Sequence, residues 1–146
     1  MKINFKIATP ERVVFKEEVD SITVPTREGE ITILPNHIPL ISVLAAGEMV
    51  VRTGEKKVLM AVAGGFLGVL STKVVILADK AERSEEIDLA RAEAALQRAK
   101  ELKETKATDA VEFARLSAMI EKELARVKVG RKHQRRIEQR GFSQKK

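Results

Sequence analysis

Asp88, Arg91 and Arg98 are the residues of this chain whose types and spacing come nearest to chemistry. At ~100° per residue the three fall within about 80° of one another on one helix face, with Ala95 on the same side. Two guanidiniums separated by two turns could grip phosphate oxygens, and small Ala neighbours would leave room for a base and ribose. The same spacing also describes an ordinary Asp–Arg pair on a solvated face. A second candidate is the stretch 30–40, EITILPNHIPL. Pro35 fixes one backbone angle and Asn36 tolerates a left-handed one, so a tight loop should follow a strand and display His37 near its tip; it also reads as a plain turn. In 61–67, AVAGGFL, the paired glycines suit a tight turn or bulge rather than a phosphate loop, since no GxxxxGK[ST] spacing occurs and no helix opens directly after them.

The inventory excludes other chemistry. There is no Cys, so disulfides, thiolate metal sites and cysteine nucleophiles are absent, and His37 and His133 are too few for a zinc enzyme or a Ser-His-Asp hydrolase. A chain of 146 residues, 44% apolar and 33% charged, is that of a globular protein. It has no apolar run of about 18 residues for a membrane span. The opening residues lack a secretory signal pattern, which sets the expectation of a cytosolic chain. The net charge of +6 is not evenly spread: residues 126–146 hold nine Lys or Arg against Glu138, a net of +8, leaving 18 basic and 20 acidic residues elsewhere. Any partner that the basicity implies should meet the tail rather than the body.

The elements that position these residues are of two kinds. Through about Asp79, short runs with period-2 alternation (around 3–7, 13–15, 21–24, 30–34, 38–44, 49–52, 57–63, 66–70 and 74–77) are separated by turn residues, including a turn at Gly64-Gly65. That pattern predicts an N-terminal antiparallel β-sandwich, or flattened barrel. Beyond it, an Ala-rich charged stretch free of Pro and Gly until Gly130 predicts a C-terminal antiparallel two-helix hairpin, with its turn over 103–108. Ser84 is the expected cap of the first helix, and Asp109 with Glu112 forms a capping box for the second. Phe113, Leu116, Ile120, Leu124 and Val127 make one apolar stripe, whose burial would gain on the order of 10 kcal/mol before ordering entropy is subtracted. Such a stripe should pack on the first helix, the sandwich or a partner. The domains expected are 1–80, 84–140 and a disordered basic tail over 141–146.

Taken in order, several short motifs now form a pattern. They are the Thr9-Pro10-Glu11 turn, E-x-x-I-L-P-x-H-I-P-L over 30–40, GGF over 64–66, V-x-I-L-A over 74–78, AER over 81–83 and IDxxRA over 87–92. Over about residues 1–129 the arrangement resembles the epsilon subunit family of the rotary F-type ATP synthase. The resemblance implies a non-catalytic central-stalk (rotor) subunit that needs no cofactor. Its sandwich would contact the gamma subunit and the c-ring, with Glu30 and His37 at that contact. Its hairpin would fold onto the sandwich or extend towards the alpha/beta hexamer and restrain ATP hydrolysis, with Arg115, Lys122 and Arg126 meeting the beta subunit.

In some bacterial members the folded hairpin binds regulatory ATP. Residue by residue that site falls on Glu82, Asp88, Arg91, Arg98, Lys122 and Arg126. Lys122 stands where those members have Arg, keeping the charge without the planar fork. Thr32, Asn36 and Ala63 replace the usual Gly, Gly and Ser. The resemblance further implies an indirect, peripheral place on the cytoplasmic face of the cell membrane and no nucleic-acid partner. The alternative function is a nucleotide-sensing module built on IDLARA; a nucleic-acid-binding basic tail is a third reading, which the net acidic body disfavours.

Overall fold

The computed structural model describes residues 1–106 and 108–144. Eight strands form one continuous sheet in the order β2 (Val13–Val19), β1 (Ile3–Ala8), β8 (Lys73–Arg83), β7 (Lys56–Ser71), β6 (Gly47–Thr53), β3 (Ser21–Thr26) and β4 (Gly29–Ile33), with β5 (His37–Val43) also on β7. All pairs are antiparallel except β1 with β8. The sheet closes into a sandwich because alternate residues of every strand are apolar: Ile3, Phe5 and Ile7 of β1 face Met49, Met60, Leu67 and Ile76 in one buried cluster.

Where the sequence suggests a turn at Gly64-Gly65, the chain instead forms one 16-residue strand, β7. The two glycines, at φ 69° and 116°, bend it without ending it. Before the bend β7 pairs with β6, and after it with β5, while β8 follows it throughout. The side-chain alternation changes phase at the same place, since Met60 and Val62 point inward before the bend and Leu67 and Val69 after it. A local sequence signal for positive φ is the same for a turn and for a bend; the partner strands decide which forms. β8 also runs to Arg83, past the boundary expected at 80, because Glu82 and Arg83 pair with Ala61 and Met60.

The helical part differs from expectation at its entry. Ser84 does not cap the first helix; it is buried in a single 3-10 turn, Ser84–Glu86. Ile87 remains extended so that it can reach the sheet, and α1 (Leu89–Lys106) begins only after Asp88, whose Oδ1 accepts the Arg91 backbone N–H at 3.2 Å. Because α1 runs on through Lys106, the inter-helix turn is shorter than 103–108. As its spacing predicts, Asp109 caps α2 (Ala110–Gln144), accepting the Glu112 N–H at 2.7 Å. The disordered tail expected over 141–146 is not found over 141–144, where α2 continues; 145 and 146 lie outside the described residues.

α2 lies across β6 and β7, and α1 packs on α2. The predicted stripe is only partly buried: Leu116 and Val127 are inside, whereas Phe113 and Leu124 are 52% and 45% exposed. One helix is serving two surfaces. Ala125 and Val129, both off the stripe, sit with Ile87 on the outward-facing Val50, Leu59 and Ala61 of the sheet, while Ala92 and Ala99 let α1 approach closely. Phe113 is covered on one side by the Lys103 ammonium, 4.4 Å from its ring centre.

A Cβ on Gly65 would lie 2.1 Å from the Leu77 carbonyl oxygen, whereas one on Gly54 meets nothing within 4 Å. Gly65→Ala should therefore cost ~4 kcal/mol or more in urea unfolding, and Gly54→Ala, at φ 60°, only ~1–2 kcal/mol. Equal losses would show that the close approach of β7 to β8 does not matter.

Candidate functional site

The richest polar cluster is where the end of β8 faces the middle of α2. Arg126 donates from Nε to Glu82 Oε2 at 2.7 Å and from Nη1 to Glu123 Oε2 at 2.8 Å, and Lys122 Nζ stands 3.7 Å from Glu123 Oε1. Glu123 is buried, and the Arg126 side chain is only 20% exposed. Burial alone would lower the guanidinium pKa; the hydrogen bonds and charges of Glu82 and Glu123 outweigh it and hold it above its ordinary value. The helix supplies Lys122, Glu123 and Arg126 within about one turn, and only the antiparallel pairing of β8 with β7 brings Glu82 opposite them.

A cleft of about 160 Å³ opens beside this clasp, lined by Glu82, Lys122 and Arg126 together with Lys80 and the backbone of β7. It is smaller than the roughly 300–1,000 Å³ usual for ligand sites. Asp88, Arg91 and Arg98 do not line it. Asp88 serves as a helix cap with Arg91 Nε 3.7 Å away, the Arg91 side chain is 87% exposed, and Arg98 is exposed further along α1. Of the six residues expected at a nucleotide site, the folded hairpin thus gathers Glu82, Lys122 and Arg126 and leaves the α1 trio on its outer surface. Arg115 is also exposed, pairing with Glu112 at 2.5 Å.

On the sandwich, Asn36 takes φ 65° as its type allows, and the chain turns through Leu34–Asn36 into β5. His37 is not displayed at the tip: it is half-buried opposite Ser71, with Nδ1 donating to the Ile38 carbonyl at 2.7 Å. The residues exposed there are Leu34, Asn36 and Ile38, the last 75% exposed, while Glu30 is exposed at the opposite end of β4, where it pairs with Pro25.

A larger surface goes unmentioned by any single motif. In register across β5, β7 and β8, Val43 stands beside Phe66 and Phe66 beside Leu77, while Ile41 stands beside Gly68. Ile41, Phe66, Leu70 and Leu77 are all more than half exposed. This is the outer face of one sandwich layer, and it is apolar. Its signal lies in runs such as FLGVL and VVILA, which are apolar at consecutive positions and so mark strands with two apolar faces rather than one.

The architecture is that of a strand sandwich with a helical hairpin docked on one face, offering a charged clasp and a small cleft between them. The beta-sandwich domain of the ATP synthase delta/epsilon chain matches residues 2–84, and the long alpha-helix domain of the same chain matches residues 85–130. This chain belongs to the ATP synthase delta/epsilon family, whose epsilon chains are non-catalytic stalk subunits. It is 42% identical over 134 residues to the ATP synthase epsilon chain of Dehalococcoides mccartyi, covering 92% of this chain and 96% of that one. It is 45% identical over 132 residues to the epsilon chain of Syntrophobacter fumaroxidans, covering 90% and 97%. A chain in the Euglena gracilis mitochondrial ATP synthase OSCP/F1/c-ring structure superposes with a TM-score of 0.72 at 28% identity, over 82% of this chain and 76% of that one. One from the Tetrahymena thermophila central stalk and c-ring structure, at 14% identity and TM-score 0.66, shares the fold over 89% and 97%.

Removing the Arg126 guanidinium leaves Glu123 buried beside Glu82 with no charge between them. Arg126→Met should cost about 2–3 kcal/mol in urea unfolding, and the double variant Arg126→Met/Glu123→Leu should recover most of it, since an apolar replacement removes the stranded charge too. A single variant no worse than the double would mean that the clasp contributes nothing.

Proposed function

We propose that this chain is the rotor subunit that joins the gamma subunit to the c-ring and that restrains ATP hydrolysis when its hairpin leaves the sandwich. One observation carries this reading: among the described residues, the apolar cluster inside the sandwich and the cluster on which the helices rest share no residue. The sandwich cluster contains nothing beyond Ala81, and the helices rest on a separate small cluster of Val50, Leu59, Ala61, Ala125 and Val129. The hairpin can therefore come away without opening the sandwich. Detached, it would expose Ala125 and Val129 along with Arg126, an apolar and basic face suited to gamma and to acidic loops of the alpha/beta hexamer.

The open face of Ile41, Phe66, Leu70 and Leu77 offers the gamma subunit a flat apolar seat, and Leu34 and Ile38 beside His37, with Glu30 further back along β4, offer the c-ring a smaller one. The assembly in which the Euglena relative sits contains F1 and a c-ring, which agrees with both assignments. No described helix is long and apolar enough to cross a membrane, so the chain would be held at the cytoplasmic face by its partners. Adding the chain to the remaining complex should lower ATPase activity, and deleting residues 84–146 should abolish that effect while leaving co-purification with gamma intact. Unchanged inhibition after the deletion would sink the assignment of the brake to the hairpin.

The convergence of Glu82, Lys122 and Arg126 favours a second reading, in which regulatory ATP binds the folded hairpin. Seating it in the cleft requires Arg126 to turn from a carboxylate to a phosphate, and Arg91 and Arg98 to be reached along α1. Calorimetry should then show ATP binding that Arg91→Ala weakens about tenfold or more; no heat up to millimolar ATP would remove this reading.

A further inference from the structure

α2 runs on past residue 130, where the matched helix domain ends, and its next residues reach both bodies of the molecule. Arg131 turns to α1 and pairs with Glu93 at 3.2 Å, a contact internal to the hairpin. Lys132 turns the other way: its Nζ donates to both oxygens of Glu48 on β6, at 2.6 and 2.8 Å. Lys128, one turn earlier, stands 3.9 Å from the same carboxylate. His133 Nδ1 lies 3.4 Å from the hydroxyl of the buried Ser84, at the root of the hairpin.

Glu48 gives these contacts their weight. Alternation along β6 puts it on the same outward face as Val50, and its partner across the ladder is Ala61, so it stands at the border of the small apolar footing under α2. Its side chain is only 10% exposed, and among the described residues both of its ion-pair partners come from α2. Docking of the hairpin therefore withdraws a carboxylate from water, a step that is unfavourable unless the helix brings a cation with it. Lys128, 63% exposed, remains at the rim, whereas Lys132 meets the carboxylate directly. Arg126 on Glu82 and Lys132 on Glu48 are about 9 Å apart along the axis of α2, with Val129 of the footing between them. A helix held by one clasp can pivot about it; a helix held on both sides of its apolar contact cannot.

We propose that Lys132 is a latch, matched to Glu48 only when the hairpin lies in this one register, and that it sets how readily the hairpin comes away from the sandwich. The latch rests on the proposal that the hairpin moves. Burial of Glu48 gives it a distinctive sign. Loss of the lysine alone leaves a carboxylate that docking must still desolvate, whereas loss of both charges removes that penalty together with the attraction. The single lysine variant is therefore looser than the variant lacking both charges. A lysine that contributed only helix length or general basicity would show the opposite: neutralising Glu48 as well would restore nothing.

The test uses the full chain. Because it has no Cys, a dye pair on Lys73→Cys/Glu104→Cys reports the extended-to-docked ratio by single-molecule energy transfer. Lys132→Gln should raise that ratio about tenfold, and Lys132→Gln/Glu48→Gln should return it to within about threefold of the native chain. Arg135→Gln removes an exposed cation of the same helix whose side chain contacts only the Arg131 carbonyl, and should leave the ratio unchanged. A native ratio in Lys132→Gln, an equal rise in Arg135→Gln, or a double variant as loose as Lys132→Gln would each overturn the latch while leaving the movement of the hairpin intact. A single dye distance in every variant would overturn the movement itself, and the latch with it.

Discussion

Two adjacent glycines with positive φ make the whole molecule possible, because they let one sheet form both layers of a sandwich. β7 and β8 travel through the bend as a pair, with Ala63 beside Lys80 before it and Gly65 beside Ala78 after it, so the sheet does not have to be broken and restarted. The bend also shifts the alternation of side chains. That shift decides what each layer shows to the outside: Val50, Leu59 and Ala61 on one, Ile41, Phe66 and Leu77 on the other. Both outer faces are apolar. The chain covers the first with its own hairpin and leaves the second open.

The hairpin is held by contacts of a different kind from those within the sandwich. Its apolar footing is small, dominated by Ala and Val, and area of that sort contributes a few kcal/mol at most. Charged contacts complete it: Arg126 between Glu82 and Glu123, and Lys132 on Glu48. Charge contacts of this sort specify one docking geometry more than they stabilise it, since desolvation offsets much of their attraction. A docked state that is well defined but only modestly stable is what a reversible element requires. The basic tail looks different in this light. Much of its charge turns inward to the acidic body instead of waiting for an external partner.

Most of the fold was legible because alternation and capping are local. The strands of the first eighty residues, the Asp109 cap and the left-handed Asn36 all follow from side-chain type and spacing. The misreadings share a cause, which is that the deciding partner lies far away in sequence. Gly64-Gly65 is a bend because β5 and β6 wait on either side; Ser84 yields its cap to Asp88 because Ile87 is drawn to the sheet. The helix stripe was half right for the same reason, as a single periodicity cannot describe a helix with two neighbours. At the site, the clasp of Glu82, Lys122 and Arg126 was within reach only through family resemblance, since nothing local joins a strand end to a helix forty residues on.

The parallel pairing of β1 with β8 fixes an order of events as well as a shape. β1 emerges before the other seven strands of the sheet and finds one of its two neighbours only when β8 has followed, so a seam of the sandwich stays unzipped while they are made. Closure of that seam is a long-range, slow step, whereas the hairpin that follows is made of near neighbours and can form at once. A nascent chain of this design would therefore own finished helices almost as soon as it owns a finished barrel wall, and the docking surface for them exists just in time.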